Sequence, residues 1–135
     1  MVDQTPYDAI GGEATIRKLV ANFYPRVAKD PLLSPIFPPD LALTEQKQFM
    51  FLTQFLGGET LYSNQYGHPM MKARHNPFQV TPKRAERWLK LMRASMDEIG
   101  LEGVARDYLW ERLTQVAEHM INSEDDETTN HLATL

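Results

Sequence analysis

Met70-Met71-Lys72-Ala73-Arg74-His75-Asn76-Pro77-Phe78 places one imidazole at the end of a short helical run. A cation, Arg74, stands directly before it, two methionines come earlier, Pro77 ends the run and Phe78 follows. Neutral imidazole is a common metal ligand, and a single histidine is one standard axial ligand of a haem iron. On that reading the neighbours of His75 cover one face of a flat macrocycle. The stretch also reads as a bystander, because most lone histidines are solvated or hydrogen-bonded to their surroundings. The rest of the chain decides between the two.

Outward from this stretch the pattern is helical. Thr5-Pro6-Tyr7-Asp8 supplies a cap, a first-position proline and an acid at the positive end of the helix dipole. Gly11-Gly12 keeps that helix short. A second helix is predicted from Glu13 to Ala28, with Ile16, Leu19, Val20, Phe23 and Val27 on one face, Tyr24 beside them, and Pro25 expected to bend it. Pro31, Pro35, Pro38 and Pro39 then mark an irregular loop anchored by Leu33, Ile36 and Phe37. A third helix is predicted from Thr44 to Leu56, ended by Gly57-Gly58. Phe49, Leu52 and Leu56 form its core stripe. Thr44, Gln48, Phe51 and Phe55 form a second stripe of mixed character, which suits either a pocket wall or a partly exposed edge.

Residues 59–69 read as a polar loop, and Met70 to His75 as one or two helical turns. Thr81-Pro82 opens a helix predicted to run to Ile99, with Ala85, Trp88, Leu89, Met92 and Met96 on one face and Gly100 as its stop. The last helix is predicted from Val104 to Asn122, with Leu109, Leu113, Val116 and Met120 inward. Residues 123–135 carry no apolar stripe and are expected to be a disordered tail. There is no repeat and no alternating strand pattern, so the expectation is one all-α domain over residues 1–122.

Composition narrows the chemistry. The chain has 135 residues and 42% hydrophobic content, enough for one domain with a real core. A net charge of −4 without a basic run argues against nucleic-acid binding. With no cysteine there are no disulfides, thiolate zinc sites, iron–sulfur clusters or thioether haem attachments. No apolar run nears the roughly 18 residues of a membrane span, and Met1-Val2-Asp3-Gln4 does not start a signal peptide. The expectation is a cytoplasmic protein with no membrane contact.

Ala9-Ile10-Gly11-Gly12, Phe23-Tyr24, Ile36-Phe37-Pro38, Gly57-Gly58, Gly67-His68-Pro69-Met70, Arg74-His75-x-Pro-Phe78 and Trp88-Leu89 occur in that order. Together they resemble the bacterial truncated haemoglobins, specifically the second, O-type group, over roughly residues 6–122. The resemblance implies a two-over-two helical sandwich around one b-type haem. It puts His75 at the proximal iron ligand, Tyr24 at the distal tyrosine, Phe37 against the haem edge and Trp88 at the group's indole donor. Thr44 and Gln48 fall on two distal helix positions, and Lys47 and Arg74 where cations reach the haem propionates. Phe51, Tyr62, Met70 and Phe78 are implied as further haem contacts.

The implied function is reversible binding of dioxygen and other small diatomic ligands, with Tyr24 and Trp88 as hydrogen-bond donors. The alternative is an enzyme at the same iron, reducing peroxide or detoxifying nitric oxide with an external reductase. Residue by residue, blander readings stand beside these. Tyr24 and Trp88 read as core aromatics, Lys47 and Arg74 as solvated cations, and Phe37 as a loop anchor. His68 reads as structural, and His119 as a packing or surface residue. A haem-free helical module that binds another protein is the third reading.

Overall fold

Thr5 starts the first helix by a reciprocal cap: its hydroxyl accepts from the Asp8 N–H at 3.1 Å, and the Asp8 carboxylate accepts from the Thr5 N–H at 3.3 Å. Helix α1 then covers Pro6–Ala9. The computed structural model describes residues 4–70, 73, 75 and 78–125, and every regular element among them is helical. Gly11, at φ 108°, makes the turn into α2, which spans Gly12–Lys29. Pro25 sits inside α2 without ending it. Its ring removes the donor that would serve the Ala21 carbonyl.

A 3-10 turn at Ser34–Ile36 interrupts the proline-rich loop. Helix α3 covers Ala42–Phe55 and begins earlier than Thr44, where the Asp40 carboxylate accepts from the Ala42 N–H at 2.9 Å. Residues expected to form only a polar loop contain a helix instead: α4 spans Leu61–Tyr66. Its Tyr, Ser and Asn residues have modest helix propensity, so tertiary packing makes it. The Gln54 side chain on α3 donates to the Ser63 hydroxyl at 2.8 Å and accepts from the Ser63 N–H at 2.9 Å. Tyr62 is buried, edge-on to Phe51 with ring centres 6.2 Å apart.

Thr81 caps α5, Pro82–Glu98, by accepting from the Arg84 N–H at 3.2 Å, and α6 covers Val104–Met120. Ala73 and His75 have helical backbone. The expectations for Met71, Lys72, Arg74, Asn76 and Pro77, and for the tail over 126–135, lie outside the described residues.

Helix α2 packs on α3 and on α5, α5 packs on α6, and α3 carries α4. The pair α2–α3 thus joins the pair α5–α6 through the α2–α5 contact, a two-over-two all-α arrangement. The core is the stripe expected from helical spacing: Ile16, Leu19, Phe23 and Val27 from α2 meet Leu52, Met92, Met96 and Leu109, all without exposure.

Helix α1 is fastened where α3 ends. The Tyr7 N–H donates to the Leu56 carbonyl at 2.8 Å. Gly58 allows this approach, since a Cβ there would stand 2.9 Å from the Thr53 carbonyl oxygen and 3.1 Å from the Tyr7 ring. Gly58→Ala is therefore expected to destabilise the fold by about 1–3 kcal/mol in urea unfolding, the usual cost of overpacking. An unchanged midpoint would mean that α1 yields without loss.

Candidate functional site

The two helix pairs do not close on each other everywhere. Between them lies a cavity of about 470 Å³, within the range of small-molecule sites. Helix α2 contributes Tyr24 to its lining, and the proline-rich loop contributes Leu33, Ile36, Phe37 and Pro38. From α3 come Thr44, Lys47, Gln48 and Phe51, and from α4 Tyr62. The segment after α4 adds Pro69, His75, Phe78 and Val80. Helix α5 adds Arg84, Ala85 and Trp88, and α6 closes the lining with Leu113, Val116, Ala117 and Met120.

The site residues expected from sequence are mostly together. Tyr24, Phe37, Thr44, Lys47, Gln48, Phe51, Tyr62, His75, Phe78 and Trp88 line this one cavity. Met70 does not. It lines a more open neighbouring groove with Phe55, Arg112 and His119, at φ 47° and 57% exposed. Its N–H donates to His68 Nδ1 at 3.2 Å, which holds Met70 in the His68–Pro69 turn. Arg74 lies outside the described residues.

Local geometry explains the convergence. Tyr24 follows Phe23 by one helical step, so it sits at the border of the α2 core stripe. It is 4% exposed and packs edge-on against Phe23 at 5.0 Å and Phe37 at 6.4 Å between ring centres. Trp88 packs edge-on against the same Phe23 ring, with ring centres 5.1 Å apart. On α3 the spacing of Thr44, Gln48 and Phe51 puts all three on one face. Phe55 continues that face into the groove and stacks on Phe51 at 5.3 Å. The Lys47 ammonium sits 5.0 Å from the centre of the Tyr66 ring.

Several donors in the lining lack protein partners. Among the described residues no hydrogen bond involves the Tyr24 hydroxyl, the Trp88 indole N–H, the Gln48 amide or the Thr44 hydroxyl. Yet no fully buried side-chain nitrogen or oxygen lacks a bond among those residues. The Tyr24 oxygen therefore keeps its accessible surface in the cavity. Burial, and secondarily the charge of Glu45, pushes the Tyr24 phenol well above its ordinary pKa. It stays protonated, and a donor, far beyond neutral pH.

The donor set also limits what the cavity can hold. No three His, Asp or Glu side chains among the described residues are grouped to bind a bare metal ion. His75 is the candidate ligand in the lining, and one histidine fits a metal that arrives inside its own macrocycle. Aromatic and aliphatic walls with Lys47 and Arg84 among them suit a flat apolar group that carries anionic edges.

Sequence reasoning did not find Asp30, Arg84 or Arg87. The buried Asp30 carboxylate accepts from Arg87 Nη1 at 2.5 Å and from the N–H groups of Leu32 and Leu33 at 2.9 and 3.0 Å. Arg84 Nε donates to the Leu32 carbonyl at 3.0 Å, and its Nη1 to the Gln79 carbonyl at 2.8 Å. Two guanidiniums of α5 thus fasten the loop that brings Leu33, Ile36 and Phe37 to the cavity. An Asp beginning a turn after a helix was a readable sign of the loop bonds. Its partner, 57 residues away, had no local signature.

The chain matches the family model described as bacterial-like globin over residues 5–122. It is 52% identical over 122 residues to the group 2 truncated haemoglobin YjbI of Bacillus subtilis, covering 90% of this chain and 92% of that protein. The group II truncated haemoglobin of Bacillus anthracis superposes with a TM-score of 0.92 at 52% identity, over 93% of this chain and 97% of that one. A truncated oxygen-avid haemoglobin from Bacillus subtilis superposes with a TM-score of 0.86 at 53% identity, over 88% of this chain and all of that one, at 100%.

Asp30 gives the loop a pH signature. Burial by itself raises its carboxyl, but the bonds from Arg87, Leu33 and Leu32, with the Arg87 charge, outweigh that and hold it below the ordinary value. A depressed folded value stabilises the protein fully above the unfolded pKa of about 3.9, and the contribution disappears as pH falls through the folded value. Asp30→Asn is expected to lower stability at pH 7 by about 1.5–3 kcal/mol, the worth of a charge-assisted hydrogen bond. Urea titrations at stepped pH should show the gap to wild type closing only below about pH 4. A gap that stays constant down to pH 3 would exclude this role.

Proposed function

The chain belongs to the bacterial-like globins, among the group II truncated haemoglobins, and from that membership we propose that its cavity holds one b-type haem through His75 and binds dioxygen and other small diatomic ligands reversibly. The observation that carries this reading is the pairing of one candidate axial base with buried and half-buried donors that make no hydrogen bond among the described residues. Tyr24, Trp88 and Gln48 share the cavity with His75, and none of the three is spent on the protein itself.

Bound haem supplies the reversible ligation of diatomic gases. The other steps belong to this chain. His75 would hold the haem iron through an imidazole nitrogen. Since the chain has no cysteine, no thioether can hold the group, and retention rests on that nitrogen, the apolar walls and edge cations. Phe37, Phe51, Tyr62 and Phe78 supply apolar contact, and Arg74 is carried as a further contact on the resemblance alone. Lys47 serves an anionic edge of the haem. Tyr24 and Trp88 would offer a phenol and an indole hydrogen-bond donor to a diatomic ligand held in the cavity. Gln48 and Thr44 add donors or orient Tyr24. The raised Tyr24 pKa keeps the phenol in its donating form. Oxygen avidity in the Bacillus subtilis relative supports tight binding here.

Purified protein should take up hemin and show a histidine-ligated spectrum, which His75→Ala should abolish. Each neutral donor is worth about 0.5–1.5 kcal/mol. Tyr24→Phe and Trp88→Phe are each expected to speed dioxygen release by about two- to tenfold, read by stopped flow. An unchanged spectrum in His75→Ala would refute ligation. Unchanged release in both aromatic variants would refute the donor roles.

A further inference from the structure

Asn122 lies just beyond the last turn of α6, and three of its four side-chain hydrogen bonds reach one distant segment, while Oδ1 also accepts from the neighbouring Ser123 hydroxyl at 2.9 Å. Nδ2 donates to the His75 carbonyl at 3.1 Å and to the Phe78 carbonyl at 2.9 Å. Oδ1 accepts from the Val80 N–H at 3.0 Å. The backbone continues the same join, since the N–H groups of Asn122 and Ser123 both donate to the Val80 carbonyl, at 2.9 and 3.2 Å. The Phe78 N–H also donates to the His75 carbonyl at 2.9 Å. Both amide hydrogens and one oxygen lone pair of this asparagine are therefore committed to residues 75–80. Asn122 is exposed, so water offers an alternative to every one of these bonds. Three bonds to a single segment, 42 to 47 residues away, reflect a geometry the fold imposes.

We infer that Asn122 is the positioning residue for His75: it fixes the backbone from which the imidazole reaches the cavity, and ties that backbone to the end of α6. This rests on the reading of His75 as the iron ligand. Metal-bound histidines are oriented by groups beyond themselves, and loss of such groups typically weakens metal affinity about 10–100-fold. Asn122 supplies that support through the main chain. The same bonds bring Val80, also in the cavity lining, against the end of α6.

Two variants of the haem-loaded protein test this. Asn122→Ala removes all three side-chain bonds to His75, Phe78 and Val80, together with the local bond from Ser123. Asn122→Asp removes both donors but keeps an acceptor for Val80. Three quantities are read: hemin loss to an excess of haem-scavenging apoprotein, the iron–histidine stretching band of the ferrous protein, and hydrogen exchange at the Val80 amide. Both variants should lose hemin about tenfold faster than wild type and shift or broaden the band. Only Asn122→Ala should lose Val80 protection. If Asn122→Ala does not fold, the Asp variant decides on the band and the loss rate. A wild-type band that neither folded variant alters overturns the inference alone. A wild type without the band, or a band that survives His75→Ala, overturns the ligation reading and this inference with it.

Discussion

Phe23 has no exposure, and two rings of the cavity lining lean on it edge-on: Tyr24 at 5.0 Å and Trp88 at 5.1 Å between centres. Burying such a ring contributes about 1.5–3 kcal/mol, and each edge-on pair about 0.5–1.5 kcal/mol more. The residue also packs α2 against α5, the contact that joins one helical pair to the other. The separation of phenol and indole is thus not adjusted independently of the fold. The donors that face the cavity and the packing that holds the two pairs together are consequences of the same cluster.

Around that cluster, the irregular borders of the cavity need separate restraint. A helix holds its own backbone bonds, but a proline-rich loop and a short connecting segment do not. Both are tied to helices by side chains that speak to main-chain atoms. Arg87 and Arg84 on α5 hold the loop through Asp30 and the Leu32 carbonyl. Asn122 at the end of α6 holds His75, Phe78 and Val80, each through one main-chain group. Arg84 links the two borders, because it also donates to the Gln79 carbonyl. The Asp30 carboxylate is buried, so losing Arg87 would leave an uncompensated charge there, and this tie is stronger than a fully surface pair such as Arg17–Glu13.

The main helices were legible because their signals are local. Thr5 and Thr81 cap where a Thr-Pro pair predicts a start, and Gly57 and Gly100 follow the ends of α3 and α5. The apolar stripe of α2 is the buried stripe. The mixed stripe of α3 was ambiguous between pocket and exposed edge, and Thr44, Gln48 and Phe51 fall in the cavity lining. Helix α4 was missed because its residues do not favour a helix until Gln54 and Phe51 receive them. Met70 was grouped with the cavity because it stands close to His75 in the chain, whereas a positive φ and the His68–Pro69 turn put it in the neighbouring groove.

The amino-acid order alone determined an all-helical chain, where its long helices begin and end, which faces are apolar, and that no thiol chemistry is available. Those are properties of neighbours three or four residues apart and of composition. Only the tertiary structure decided which polar groups meet: Asp30 with Arg87, Arg84 with the Leu32 and Gln79 carbonyls, Asn122 with the main chain around His75. Such partners lie 42 to 57 residues apart, except Arg84 and Gln79, and are chosen by how helices cross. Helical spacing says which face is buried. It does not say against what, because many crossings bury the same stripe while only one aligns these particular donors and acceptors.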